Sequence, residues 1–170
     1  MTEAEGKYCL DANVLIEAWQ KYYNPKFCPD YWKVLNQLGK EGKIFIPTEV
    51  AEEIHRTEDD LSAWLKASDI PIAKTTESVI RCWQKILSSH TDHQRLVDST
   101  KNRSLADPWV IAHAMDQSAT VVTKENKETA SNTRRIKIPN VCENMGVRWM
   151  DDFQFIYEMG IRFISASRNV

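Results

Sequence analysis

Four short segments constrain the fold most: residues 7–11, 43–47, 120–123 and 147–150 are brief, β-branched or aromatic runs, each followed by a polar or cap-like residue. Runs apolar on both faces suit central strands of a parallel sheet. Helical patterns separate them, so the chain reads strand, helices, strand, helices, strand, helix, strand, helix. That alternation predicts an α/β fold with right-handed crossovers and helices on both faces of the sheet. Helices are expected just after Asp11, over 30–38 ended by Gly39, from a Thr48 cap through Ile54, over 59–66, and over 76–101 with a break near His90. A further helix opens at Ser104, with Asp107 three residues on and Pro108 in the first turn, and Asp151 caps a last one over about 151–160. Residues 124–137 form the one long polar stretch without a periodic pattern.

At 170 residues the chain suits one domain spanning 1–170. Its 22 basic and 24 acidic residues give a formal charge of −2, which excludes a polycationic nucleic-acid coat. No apolar run approaches a membrane span of about 18 residues, so no membrane association is expected. The acidic start, Met1–Glu5, lacks a signal-peptide pattern. Cys9, Cys28, Cys82 and Cys142 are scattered without metal-site spacing. They read as reduced thiols in a cytoplasmic protein.

Acids recur just beyond the strand ends, where open parallel sheets bind their ligands. Asp11 closes the first strand and can equally cap the helix that follows. After the second strand come Glu49, Glu52 and Glu53; Val50 and Ile54 mark the inward helix face, Glu53 leans toward it, and Glu49 and Glu52 read as solvent-facing. Asp107 opens an apolar helix, and Glu125 follows the strand ending at Thr123. Two carboxylates about 5 Å apart repel by roughly 3 kcal/mol at an effective dielectric of 20. A convergent cluster is therefore held by protonation or by a hard divalent cation, and oxygen-only donors suit Mg²⁺ or Mn²⁺ rather than Zn²⁺.

The ordered set of an apolar strand into Asp11-Ala12-Asn13, Val50-x-x-Glu53-Ile54, Ala106-Asp107-x-x-Val110-Ile111-Ala112-x-Ala114 and Val121-Val122-Thr123-x-Glu125 resembles the PIN-domain nucleases. It looks most like the VapC-type ribonuclease toxins of toxin–antitoxin pairs, over about residues 7–150. That resemblance implies a three-layer α/β/α fold around a short parallel sheet and a metal-dependent endoribonuclease that cuts RNA phosphodiesters with a metal-activated water. It makes Asp11, Glu53 and Asp107 the metal-binding acids, Asn13 a residue hydrogen-bonding within the site, and Glu125 the counterpart of a fourth acid that is more often Asp. A cognate antitoxin and a homodimer are implied as partners. The chain is longer than a minimal toxin, mostly through a helical insert at about 57–102.

Two other enzyme classes also begin from a strand-end Asp. A haloacid-dehalogenase-like phosphatase resembles Asp-x-Asp, but an amide at Asn13 cannot protonate a leaving group. A receiver-like domain expects an acidic pair near the N-terminus and a later lysine that this chain does not clearly present. A non-catalytic PIN-like module that binds RNA or protein is the alternative from a different class; all three principal acids speak against it. The histidines, His55, His90, His93 and His113, have no metal-ligand spacing and read as structural or surface groups.

The bulk charge leaves room for a local basic rim. Residues 123–137 hold Lys124, Lys127, Arg134, Arg135 and Lys137 against Glu125 and Glu128, and Lys101 and Arg103 flank Asp107. Lys101, Arg103, Lys124, Lys127, Arg134 and Arg135 are the expected RNA contacts. Six of the 16 aromatic residues, Trp19, Tyr22, Tyr23, Phe27, Tyr31 and Trp32, fall within 14 positions. Such a cluster can line a helix pair, stack on unpaired bases or meet a partner protein.

Overall fold

The computed structural model describes residues 6–97, 106–131 and 136–168. Its five strands are β1 (Tyr8–Leu10), β2 (Ile44–Pro47), β3 (Ile72–Ala73), β4 (Thr120–Val122) and β5 (Trp149–Met150). All pair in parallel, in the order β3-β2-β1-β4-β5. Tyr8, Cys9 and Leu10 stand opposite Thr120, Val121 and Val122, so Asp11 and Thr123 leave adjacent strands at the same level. The central strands are buried on both faces, as their uninterrupted apolar runs require.

The helices are α1 (Ala12–Glu17), α2 (Pro29–Lys40), α3 (Thr48–His55), α4 (Asp60–Ala67), α5 (Glu77–Ser89), α6 (Gln94–Val97), α7 (Asp107–Gln117), α8 (Ile138–Asn144) and α9 (Asp152–Glu158). A π-helical turn, Ala18–Tyr22, continues α1. Capping side chains start several of them: Asp11, Asp59, Thr76 and Asp151 each accept a backbone N–H of the first turn. Proline stands in the first turn of α2, α7 and α8, where its missing N–H costs no helical hydrogen bond. The three-layer α/β/α architecture expected from the sequence is the one found.

Four details differ from what the sequence predicts. The segment 57–102 is not wholly helical: it also supplies β3, which pairs with β2 as the sheet's edge strand. Two residues are too few to show an alternating pattern. Gly39 lies inside α2 rather than ending it, because a Cβ there would meet the Ile70 Cα at 2.7 Å. Thr48 is the first residue of α3; its preceding cap, Pro47, offers no side-chain bond. α7 begins at Asp107 behind Ala106, and the expected Ser104 start lies outside the described residues.

The aromatic cluster is mostly core. Tyr31 and Trp32 are buried, Trp19 packs edge-on to Trp32 at 4.7 Å, and Trp32 meets Trp64 of α4 at 4.9 Å. Tyr22 and Phe27 remain exposed.

Candidate active site

The carboxyl end of β1 delivers Asp11 into a buried position. Its Oδ1 accepts the Ala12 N–H at 2.7 Å, and its Oδ2 accepts the Thr123 hydroxyl at 3.1 Å. Asp11 thus serves as the helix cap and as the centre of an interstrand contact. Burial pushes its carboxyl up to about 7 against an ordinary 3.8. The Thr123 hydrogen bond opposes that rise, the charge of Glu125 adds to it, the Ala12 amide opposes it, and the charge of Glu53 adds again. Glu53 and Glu125 therefore lie within the electrostatic reach of Asp11.

Glu125 is held from both ends. Its backbone N–H donates to the Thr123 hydroxyl at 3.1 Å, and its Oε2 accepts the Ile138 N–H at the start of α8 at 2.9 Å. Thr123 consequently links Asp11 to Glu125. From sequence, Thr123 reads only as a strand end; its polar side chain, in register with Asp11, is the signal that marks it.

Asp107 is buried at the first position of α7. The Cys9 thiol reaches the Val110 carbonyl at 3.6 Å, which ties the first turn of α7 to β1 two residues before Asp11. Asn13 behaves differently. It is exposed on α1 and makes no side-chain hydrogen bond among the described residues, so the expected bond within the site is absent.

Glu49 also departs from expectation. Rather than facing solvent, its Oε2 meets His113 Nε2 at 3.0 Å, and its Oε1 accepts the Thr75 hydroxyl. Burial works to raise its carboxyl, but the His113 and Thr75 hydrogen bonds hold it below the usual range. His113 is 1% exposed, and a histidine that deep in an apolar helix needs such a partner. This pair joins α3, one turn before Glu53, to α7, which carries Asp107. His93 is likewise structural: its Nδ1 meets the Ile86 carbonyl at 2.7 Å, the Asn144 amide contacts its Nε2 at 3.0 Å, and burial lowers its pKa.

The expected basic rim is only partly visible. The Lys124 ammonium contacts both Asp152 oxygens, at 3.0 and 3.1 Å, lies 3.9 Å from Glu17, and sits over the Tyr22 and Phe153 rings. Its side chain is 14% exposed, so an internal ion pair engages it rather than open solvent. Lys127 pairs with Glu143 but stays partly exposed. Lys101, Arg103, Arg134 and Arg135 lie outside the described residues.

Among the described residues no three His, Cys, Asp or Glu side chains form a ready-made metal cage. The donor chemistry nonetheless fits a hard cation. Asp11, Glu53, Asp107 and Glu125 offer only carboxylate oxygens, and Mg²⁺ retains several waters that span gaps between sparse carboxylates. The charge that burial and neighbouring acids disfavour at Asp11 is what a cation would stabilise.

Solved structures resemble this fold. A chain in the crystal structure of VapBC2 from Rickettsia felis bound to a DNA fragment from its promoter superposes with a TM-score of 0.52 at 19% identity, covering 85% of this chain and 97% of that one. A chain of FitAcB from Neisseria gonorrhoeae gives a TM-score of 0.49 at 17% identity, over 84% and 96% of the respective chains. No functionally curated protein matches the sequence significantly. A family model matches residues 8–163, nearly the whole described fold, and the chain belongs to that family, the domain of unknown function DUF4411.

Proposed function

We propose that this protein is a metal-dependent endoribonuclease, the toxin of a toxin–antitoxin pair, with Mg²⁺ or Mn²⁺ held by Asp11, Glu53 and Asp107. The observation that carries this reading is the buried Asp11 carboxyl, pushed up to about 7 at a strand end that Glu125 and Glu53 also charge. A buried acid facing further acids is costly as structure alone and useful as a cation site. The PIN-like motif order and the fold shared with the VapBC2 chain support the same conclusion.

When bound, the cation supplies Lewis-acid stabilisation of a phosphodiester and activates a water for attack. The chain's own groups do the positioning. Thr123 orients Asp11 through its hydroxyl and Glu125 through the Glu125 N–H. The Ile138 N–H orients the Glu125 carboxylate, and the Glu49–His113 pair tethers the two helices bearing Glu53 and Asp107. RNA is the substrate of this reading, with Lys101, Arg103, Lys124, Lys127, Arg134 and Arg135 its proposed contacts. A cognate antitoxin is the inferred partner, a homodimer the inferred assembly, and the cytoplasm the inferred location; among the described residues no helix is long and apolar enough to cross a membrane.

The test is cleavage of single-stranded and transfer RNA by purified protein with and without Mg²⁺ or Mn²⁺. Activity that needs the metal and disappears in Asp11→Asn and Asp107→Asn supports the reading. Equal activity in the variants identifies a contaminating nuclease and refutes it.

A further inference from the structure

Three exposed aromatic residues lie outside both the core and the acid cluster and are linked through Tyr23, which packs on the buried Tyr31 at 4.5 Å. Tyr22 is 49% exposed, Phe153 57% and Phe163 46%. Their rings form a connected series: Phe153 to Tyr22 at 6.5 Å, Tyr22 to Tyr23 at 6.4 Å, and Tyr23 to Phe163 at 5.2 Å with the last two planes parallel within 2°. The series begins beside the candidate active site. Lys124, whose ammonium lies 4.5 Å from the Tyr22 ring centroid and 4.9 Å from that of Phe153, sits in the chain between Thr123 and Glu125. At its far end the rings border a groove of about 530 Å³ between the π-helical turn, α2 and the C-terminal segment 161–166.

Charge tells what such a surface would take. Lys21 precedes Tyr22, Lys26 precedes Phe27 and Arg162 precedes Phe163; all three bases are exposed and make no side-chain ion pair among the described residues. The acids nearby are engaged: Asp152 and Glu17 with Lys124, Asp30 with Lys33, and Asp151 with the α9 cap. Exposed cations interleaved with ring faces match the requirements of unpaired nucleic acid, in which bases stack and phosphates seek positive charge. Protein interfaces share the enrichment in aromatic residues and arginine but are depleted of lysine, and the patch carries Lys21 and Lys26. The π-helical turn that carries Tyr22 is closed by the Tyr23 N–H donating to the Ala18 carbonyl at 2.9 Å, and such turns recur at functional sites.

We infer that the Phe153–Tyr22–Tyr23–Phe163 track is a stacking platform for single-stranded RNA, leading from the acid cluster and held at its near end by Lys124. This inference rests on the ribonuclease reading for its choice of RNA. The platform selects unpaired over duplex substrate, because a duplex keeps its bases stacked internally and presents no free faces.

The test measures binding of a fluorescein-labelled single-stranded RNA of roughly 10 nucleotides to the full chain in EDTA, so that no cleavage intervenes. Tyr22→Ala and Phe153→Ala, each checked for native circular dichroism, should weaken binding about 5- to 100-fold, as the removal of one stacked base predicts. Tyr22→Trp should retain it. Replacing Lys21, Lys26 and Arg162 together by Gln should flatten the salt dependence by about 0.7 in logarithmic slope for each phosphate no longer neutralised. Duplex RNA of the same sequence should bind more weakly and ignore the ring variants. Unchanged single-strand affinity in both alanine variants, or duplex bound as tightly as the single strand, overturns the proposal. So does a Tyr22→Ala variant that changes the elution volume of the protein but not its RNA affinity, which would make the face a protein interface. Ring-dependent binding without metal-dependent cleavage would instead refute the nuclease reading and leave the platform standing.

Discussion

Thr123 Oγ1 donates to Asp11 Oδ2 at 3.1 Å across neighbouring strands, and the same oxygen accepts the Glu125 N–H at 3.1 Å. One hydroxyl therefore couples two acids that repel each other. It does not neutralise Asp11, whose carboxyl still lies near 7 because burial dominates.

Stability should depend on pH through that carboxyl. The folded group titrates near 7 and the unfolded one near 3.8, so the fold holds its proton more tightly. The associated stability is fully present below about pH 4 and is lost as pH rises through about 7, amounting to up to roughly 4 kcal/mol. Asp11→Asn removes that cost. In the metal-free protein its melting temperature should exceed wild type by several degrees at about pH 8, with the gap shrinking toward about pH 5. Thermal melts across that range check it; a gap independent of pH contradicts the assignment.

The Glu49–His113 pair carries the second prediction. Glu49→Gln removes the carboxylate while leaving His113 buried, at an expected cost of about 1–3 kcal/mol. It should also weaken Mn²⁺ binding, because the tether between α3 and α7 loosens where Glu53 and Asp107 depend on it. Denaturant melts and Mn²⁺ titration by electron paramagnetic resonance read the two effects separately.

Gly39 reverses the usual helix preference. Alanine in a helix interior normally gains about 1 kcal/mol over glycine. Here the new Cβ would lie 2.7 Å from the Ile70 Cα, so Gly39→Ala should destabilise by about 1–3 kcal/mol. Chemical denaturation measures the sign directly, and a stabilised variant would refute the close packing of α2 on Ile70.

What is legible in the sequence depends on range. The strands ending at Asp11, Pro47 and Thr123 announce themselves by uninterrupted apolar runs, and Glu53 by its place between Val50 and Ile54. Strand β3 is hidden because Ile72 and Ala73 are too few to carry a period. Glu49 reads wrongly as solvent-facing because helix spacing shows where a residue sits on its own helix, not that a buried histidine 64 positions later waits for it. Lys124 reads as an open cation for the same reason, since Asp152 lies 28 positions away. The aromatic cluster divides only in three dimensions, with Tyr31 and Trp32 in the core and Tyr22 at the surface.

The central claim is that acids from β1, α3 and α7 converge on one divalent cation. A crystal structure grown with Mn²⁺ tests it most directly, through the anomalous signal of the ion. The predicted result is a peak bound by Asp11, Glu53 and Asp107, directly or through a single water, with Thr123 still on Asp11. A metal-saturated crystal with no peak there, or with the three carboxylates too far apart to share one ion's coordination shell, would contradict the account.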